Sequence, residues 1–273
     1  MTSTRPVCAL TIAGSDSGGG AGIQADLRTF AAHGVHGLSA IAALTAQHTR
    51  GVTAVHVPPA PFLREQIDAC FADFEIGAVK LGMLANARII NAVADALEAH
   101  RPKAIVLDPV MVATSGAKLL EDAALDALRR RLLPLATVLT PNIPEAELLL
   151  GHPVADDEAA EAALVELLAM GPGAVLLKGG HLPGNGVMTD RFDDGEALLE
   201  FEHPRLDVEG HGTGCTLASA IAANLCRGVS LREACANATD YVHGALLGAY
   251  RPGKGQAAVL DHLWRRRGDL PGT

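Results

Sequence analysis

Long apolar runs and blocks of like charge are both missing from this 273-residue chain, and each absence argues against a class of protein. No uninterrupted apolar stretch is long enough to span a bilayer, which disfavours a membrane protein and predicts a cytoplasmic one. Acidic residues outnumber basic ones by 31 to 22 without forming a block, so a nucleic acid or an anionic membrane has no electrostatic footprint here. The expected partner is a small molecule.

Cysteines are few and widely spaced. The five of them are Cys8, Cys70, Cys215, Cys226 and Cys235, and no two form a CxxC pair. An odd, scattered set of this kind argues against a disulfide framework and against structural zinc. Cys8 and Cys70 are predicted to be small buried apolar residues.

What the sequence does contain is a regular alternation of short β-branched runs with longer helical patterns. The predicted strands cover residues 7–13, 35–44, 78–81, 104–107, 137–140 and 174–177, and the predicted helices cover 21–33, 61–74, 86–99, 122–133, 155–170, 213–227 and 230–248. This repetition predicts one α/β domain over residues 1–273, with a mostly parallel, doubly wound sheet and helices on both faces. A hairpin is expected between 187 and 201, around Asp193-Asp194-Gly195.

Polar or glycine residues follow most of the predicted strands, at the edge where doubly wound sheets bind their ligands. These residues are Gly14-Ser15-Asp16, Gly82, Asp108, Asn142 with Glu145, and Lys178-Gly179-Gly180. Each has an ordinary explanation as a turn or N-cap residue. Because all of them would lie on one edge, the set predicts a ligand site.

Two glycine-rich segments open onto predicted helices, where free N–H groups favour an anion. The first, residues 14–22, overlaps the dinucleotide fingerprint in Gly20-Ala21-Gly22-Ile23-Gln24-Ala25, so a Rossmann oxidoreductase is one alternative. No acidic residue lies between Leu27 and Arg64 to bind a ribose, which counts against it. A Walker A motif is also missing, which excludes P-loop kinases. The second segment, residues 210–215, would stabilise negative charge on a transferring phosphoryl group.

Cys215 would occupy the first turn of the helix that follows, where the helix dipole is expected to lower the pKa of its thiol. A cysteine hydrolase is therefore a second alternative, which needs a base beside the thiol. The candidate bases are His48, His181, His211 and His243. A hydrolase leaves the strand-end residues Asp108, Asn142, Glu145 and Lys178 unused, whereas phosphoryl transfer uses all of them.

Taken together, these residues resemble the ribokinase superfamily and, within it, the bacterial hydroxymethylpyrimidine/phosphomethylpyrimidine kinases of thiamine biosynthesis. The blocks that carry the resemblance are ALTIAGSD (9–16), GGGAGIQAD (18–26), ALTAQ (43–47), KLGML (80–84), LDPVM (107–111), TPNIPEA (140–146), LKGGH (177–181) and HGTGC (211–215). They span nearly the whole chain in family order. The resemblance implies a ribokinase-like fold, the use of ATP and Mg²⁺, and a homodimer.

The implied reaction is phosphorylation of 4-amino-5-hydroxymethyl-2-methylpyrimidine and then of its monophosphate, with pyridoxine or pyridoxal kinase as the alternative. In the acceptor pocket Gln47 would recognise the aminopyrimidine edge, since a carboxamide offers both a donor and an acceptor to an amine beside a ring nitrogen. The resemblance implies that Gly14 and Asp26 complete this pocket and that Met83 and Val110 form its apolar walls.

At the phosphoryl-transfer end, the resemblance implies that Cys215 is the base that takes the hydroxymethyl proton. The amides that would form the anion hole are those of Gly212, Thr213 and Gly214. Two positions depart from the family pattern: Gly210 stands where relatives commonly carry a polar residue such as threonine, and Thr114 replaces a frequent lysine.

The resemblance also implies the residues that handle ATP and its metal. Lys178 would contact the ATP phosphates as a point charge, with Asn142 and Asp108 beside it. Glu145 and Asp108 would organise Mg²⁺ through water, in keeping with its preference for oxygen ligands.

Overall fold

The computed structural model describes residues 6–111, 122–182 and 186–265, without the side chain of Asp122. Its strands are β1 (Cys8–Asp16), β2 (His36–His48), β3 (Gly51–His56), β4 (Ile76–Leu81), β5 (Ile105–Leu107), β6 (Val138–Leu139), β7 (Val175–Leu177), β8 (Val187–Asp193), β9 (Leu198–Pro204), β10 (Gly210–His211) and β11 (Ala258–Val259). Its helices are α1 (Gly22–Ala32), α2 (Ala60–Asp73), α3 (Ala87–His100), α4 (Asp122–Ala127), α5 (Ile143–Leu150), α6 (Asp157–Ala169), α7 (Thr213–Cys226) and α8 (Leu231–Leu247).

Within the described ranges, one sheet contains nine strands in the order β3-β2-β1-β4-β5-β6-β7-β8-β9. The pairs β2-β1, β1-β4, β4-β5, β5-β6 and β6-β7 are parallel, whereas the pairs β3-β2, β7-β8 and β8-β9 are antiparallel. The chain adds strands on one side of β1 first and then returns to add β4 on the other. The resulting change of direction beside β1 opens a crevice at the carboxyl ends of the parallel strands.

Two apolar layers cover the two faces of the sheet. Alternate positions of a strand face opposite layers, so Leu10 packs into the layer that includes α2, α3 and α6, whereas Ala9 packs into the layer of α1, α7 and α8. Helix α7 is rich in alanine, and every residue from 216 to 224 is buried. Small side chains therefore let the first turn of α7 come close to the strand ends.

The predicted α/β fold, with a mostly parallel sheet and helices on both faces, is confirmed. Three features were not predicted: β3, α5 and the short parallel pair of β10 with β11. The helix predicted over 122–133 ends as α-helix at Ala127 and continues as a π-helical turn and a 3₁₀ turn up to Leu135, because Pro134 has no N–H to donate to another helical turn.

Several smaller predictions concern single residues. Cys8 is buried as predicted, and Cys70 is partly buried against the core. Thr114 lies outside the described residues. No described helix has the length and apolar character needed to cross a membrane.

Candidate active site

A cavity of about 640 Å³ opens at the carboxyl ends of the parallel strands. Every site residue predicted from the sequence lines this cavity except Asp26. Those that do are Gly14, Gln47, Met83, Asp108, Val110, Asn142, Glu145, Lys178, Gly212, Thr213, Gly214 and Cys215. The order of the strands thus brings together residues from most of the length of the chain.

The loop that joins β1 to α1 is closed around its own carboxylate. Asp16 accepts hydrogen bonds from the amides of Gly18, Gly20 and Ala21 at 2.8–2.9 Å. Its Oδ2 also lies 3.0 Å from Nε2 of His211. Burial by itself raises the pKa of Asp16, but the hydrogen bonds from His211 and the loop amides outweigh burial and hold that pKa below its usual value. Three amides of this predicted anion-binding loop therefore already bind an anion, the carboxylate of Asp16 in the same loop.

The first turn of α7 does present free amides to the cavity. Its N-cap, Gly212, has φ of +86°, and a Cβ atom there would collide with the carbonyl oxygen of Gly20, so glycine is required. The amide of Thr216 donates to the carbonyl of Gly212 at 2.9 Å. The N–H groups of residues 213–215 therefore have no acceptor within the helix and are available to an anion.

Cys215 is partly exposed beside these amides, and the backbone N–H of Gly22 donates to its sulphur. Burial raises the pKa of the thiol to about 12, although the nearby charge of Lys80 acts in the opposite direction. The prediction that the helix dipole lowers this pKa is therefore wrong, because desolvation by the surrounding protein outweighs it. The resting side chain is a protonated thiol at neutral pH.

Asp26 lies behind the cavity wall, in a fully buried ion pair. Its carboxylate oxygens lie 2.9 and 3.0 Å from Nζ of Lys80 and accept hydrogen bonds from the hydroxyls of Thr11 (2.6 Å) and Ser219 (2.7 Å). Burial lowers the pKa of Lys80, but the carboxylate of Asp26 outweighs it and keeps the lysine charged. Asp26 therefore holds a buried cation near Cys215 and lies outside the cavity, so it does not complete the predicted acceptor pocket.

A second charged cluster, of one lysine and two carboxylates, lines the cavity near α7. Nζ of Lys178 lies 3.0 Å from Asp108 and 3.6 Å from Glu145. Burial lowers the pKa of Lys178, but the two carboxylates raise that pKa by more than burial lowers it, so the lysine stays charged. Burial also raises the pKa of Glu145 to about 7, against the opposing effect of Lys178. A Cβ atom on Gly214 would approach Nζ of Lys178 to 2.9 Å, so the lysine and the free amides of α7 are neighbours.

Asn142 and Glu145 are held at the cavity edge by a capping box. The side chain of Asn142 accepts from the amide of Glu145 at 2.8 Å, and the side chain of Glu145 accepts from the amide of Asn142 at 2.8 Å. Pro144 adds a fixed φ in the first turn of α5. The start of α5 thus positions both predicted ATP- and metal-binding side chains.

The end of the cavity that is predicted to bind the acceptor combines one carboxamide with apolar walls. Nε2 of Gln47 lies 3.1 Å from Nε2 of His211, and Oε1 lies 3.0 Å from Oγ1 of Thr45. Met83 belongs to a small apolar cluster against which Val110 packs. A Cβ atom at Gly14 would lie 3.0 Å from the Met83 sulphur, so a larger residue would press into this wall.

The four histidines considered as hydrolase bases do not pair with the thiol. In the described part of the chain, no hydrogen bond joins a histidine to Cys215; His211 faces Asp16, and His48 is exposed. His181 and His243 line the cavity elsewhere. The geometry therefore gives no support to a cysteine hydrolase.

Comparison with known proteins agrees with this geometry. Residues 16–260 match the model of the family described as phosphomethylpyrimidine kinase. The hydroxymethylpyrimidine/phosphomethylpyrimidine kinase of Rhizobium meliloti is 51% identical over 94% of this chain and 97% of its own. The chain belongs to the phosphomethylpyrimidine kinase family. The family resemblance inferred from the sequence motifs is confirmed.

Solved structures place this phosphomethylpyrimidine kinase family member close to two enzymes. Phosphomethylpyrimidine kinase from Clostridium difficile is 41% identical with a TM-score of 0.78, covering 86% of this chain and 97% of its own. A pyridoxal kinase from Staphylococcus aureus, in complex with AMP-PCP and pyridoxal, is 30% identical with a TM-score of 0.88, covering 97% and 96%. The ribokinase-like fold is thus shared with both kinds of kinase.

Proposed function

We propose that this chain is an ATP-dependent kinase that phosphorylates 4-amino-5-hydroxymethyl-2-methylpyrimidine and then its monophosphate, in thiamine biosynthesis. One observation carries the proposal: a single cavity joins the carboxamide of Gln47 to the free amides of α7 and the charge of Lys178. The first group suits an aminopyrimidine, and the other two suit a transferring phosphoryl group. Membership of the family supports the same reaction.

The nucleotide is assigned to the remaining part of the cavity. The walls there are apolar side chains from the end of β9 and from α8, including Pro204, Val208, Val242 and Leu246. Apolar side chains of this kind suit an adenine base. In this arrangement the γ-phosphate reaches Lys178 and the first turn of α7.

During transfer, the hydroxymethyl oxygen forms a bond to the γ-phosphorus as the bond from that phosphorus to the departing ADP breaks. The amides of residues 212–214 stabilise charge on the moving phosphoryl group, and Lys178 neutralises the phosphates. The small thiolate fraction of Cys215, formed when the thiol releases its own proton to solvent, takes the hydroxyl proton. The charge of Lys80 and the N–H of Gly22 favour that thiolate. Because the transition state is loose, alignment of the hydroxyl contributes more than the strength of the base.

The residues at the start of α5 fit Mg²⁺. Glu145 and Asp108 offer carboxylate oxygens, the ligands this ion prefers, and Lys178 supplies only one positive charge against the two of them. Within the described ranges, no three His, Cys, Asp or Glu side chains form a metal cluster, so we expect water and the nucleotide to complete the shell. Bound there, Mg²⁺ would supply positive charge to the ATP phosphates.

Pyridoxal kinase is the second candidate, favoured by the close structural similarity to the Staphylococcus aureus enzyme. The homodimer stays a prediction from the family resemblance, and the cytoplasmic location stays a prediction from the lack of a long apolar run in the sequence. Sedimentation of the purified chain tests the first, and fractionation of the source cells tests the second.

An ADP-release assay with three acceptors tests the proposed function. Hydroxymethylpyrimidine, its monophosphate and pyridoxal are offered in parallel with ATP and Mg²⁺. We expect turnover of both pyrimidines, with the higher kcat/KM for hydroxymethylpyrimidine than for pyridoxal. Turnover of pyridoxal alone would overturn the substrate assignment while leaving the kinase assignment intact.

A further inference from the structure

A continuous hydrogen-bonded chain runs along the acceptor wall of the cavity. It begins at the carboxylate of Asp16, continues through the imidazole of His211 to the carboxamide of Gln47, and ends at the hydroxyl of Thr45. The Thr45 hydroxyl in turn lies 3.0 Å from the carbonyl oxygen of Ser15. Asp16, His211 and Thr45 are buried, and their polar groups find partners in one another and in the neighbouring backbone.

The position of each proton in this chain follows from Asp16. Its carboxylate accepts three backbone amides as well as facing His211, which fits an ionised acid and leaves no place for a proton on Oδ2. Nε2 of His211 therefore carries the hydrogen that points at Asp16. An imidazole nitrogen that carries a hydrogen cannot also accept one, so the Gln47 group facing it must be an acceptor.

A half turn of the Gln47 carboxamide satisfies every group. With Oε1 against His211, the N–H of His211 is shared between Asp16 and Gln47, and Nε2 of Gln47 donates to Thr45. The Thr45 hydroxyl then donates to the carbonyl of Ser15. The oxygen and the nitrogen of an amide have nearly the same shape, so the hydrogen-bond network decides which is which. The opposite orientation leaves two donors facing each other, the NH₂ of Gln47 and the N–H of His211.

We propose that His211, held by Asp16, is a positioning residue that fixes which end of the Gln47 carboxamide is donor and which is acceptor. This inference rests on the proposed function, because it concerns the acceptor end of the cavity. An aminopyrimidine carries an amine donor beside a ring-nitrogen acceptor. It can pair with the oxygen and the NH₂ of the Gln47 carboxamide in only one orientation of that carboxamide. Pyridoxal has no amine beside its ring nitrogen, so it gains less from that order. His211 therefore contributes to the choice of acceptor through Gln47.

Two substitutions of His211 test the proposal in the full-length enzyme. His211→Phe keeps a flat ring against the loop but removes the N–H, and His211→Gln restores a donor on a side chain of similar reach. We expect His211→Phe to raise KM for hydroxymethylpyrimidine about 5- to 10-fold, the size of one neutral hydrogen bond. KM for ATP should stay unchanged and kcat/KM for pyridoxal should fall less, so the preference for the pyrimidine drops. His211→Gln should recover part of that preference.

Controls separate this role from a structural one. His152→Phe replaces an exposed histidine remote from the cavity and should leave the preference unchanged. If His211→Phe fails to fold, Thr45→Val removes the other partner of the carboxamide with little change of shape, and Thr45→Ser keeps it. Thr45→Val should weaken the pyrimidine preference and Thr45→Ser should not. An unchanged preference in folded His211→Phe or Thr45→Val would overturn the inference. A wild-type enzyme that does not phosphorylate hydroxymethylpyrimidine would overturn the proposed function, and the inference with it.

Discussion

At the scale of single residues, the buried ion pair of Lys80 and Asp26 is the most demanding feature of the site. Both side chains are fully buried, and two hydroxyls complete the shell of the carboxylate. Removing one partner of such a pair leaves an uncompensated charge in the interior, which is far more destabilising than loss of an exposed pair.

We therefore expect Lys80→Met to lower the free energy of unfolding by about 3–5 kcal/mol, measured by urea denaturation. The double variant Lys80→Met with Asp26→Asn should recover a large part of that loss, since no buried charge is left unpaired. Arg64→Met breaks the partly exposed pair with Asp68 and serves as the control, with an expected change of less than about 1 kcal/mol. Equal losses for Lys80→Met and Arg64→Met would contradict this account.

Cys215 gives a prediction for the pH dependence of turnover. With a thiol pKa of about 12, the thiolate fraction rises with pH throughout the working range of the enzyme. If thiolate is the base, kcat should increase steadily between about pH 6 and 9, by as much as about tenfold per unit, without a plateau.

Cys215→Ala should lower kcat by about 10²–10⁴-fold and remove this pH dependence, because the base is lost while the amides of α7 remain. Cys70→Ala, outside the cavity, should behave as the wild type. A flat pH profile in the wild type together with near-full kcat in Cys215→Ala would reject the thiolate as base.

The residue-scale surprises have a physical explanation. Lys80 stands in an otherwise apolar strand, which indicates a buried charge, but its partner Asp26 is 54 positions away in the sequence. Spacing along the chain could not identify that partner. The same is true of Asp16, which the sequence placed at a strand end but could not show to be enclosed by its own loop and by His211.

At the scale of elements, the start of α5 links stability to the proposed nucleotide site. Asn142→Ala should cost about 0.5–2 kcal/mol of stability through loss of the N-cap, and it should also raise KM for ATP. Asp156 caps α6 in the same way, accepting from the amide of Ala159 at 2.9 Å, but it lies outside the cavity.

Asp156→Ala is thus a matched control that should lose similar stability in thermal or urea unfolding with no change in KM for ATP. If both variants leave KM unchanged, Asn142 is a cap and nothing more. If both raise it equally, the effect on ATP comes from general loosening of the fold.

Most elements could be predicted because their patterns are periodic and their faces are buried. Helix α5 was missed although its capping box, Asn142 with Glu145, is a recognised start signal, since its eight residues are too few to show a helical period. Strand β3 was missed because most of its residues are exposed, so apolar and polar positions do not alternate. Strands of two residues, such as the paired β10 and β11, are too short to show a sequence pattern.

At the scale of the whole molecule, the predicted edge of the sheet carries the cavity because strand order places it there. The sequence indicated which residues follow strands, and parallel pairing brought them to one cavity. The packing between α1 and α7 decides which of these strand-end residues face the cavity. That packing cannot be predicted from a local sequence pattern.

The contact between the β1–α1 loop and the start of α7 also sets when the cavity can form as the chain folds. Asp16 and His211 are 195 positions apart, and Asp26 and Ser219 are 193 apart. Contacts of such long range carry a large loop-closure entropy and form late. After dilution from denaturant, ADP release should return more slowly than the far-ultraviolet circular dichroism signal, and simultaneous recovery of the two would contradict this order. During synthesis, the enzyme would stay inactive until α7 has emerged from the ribosome.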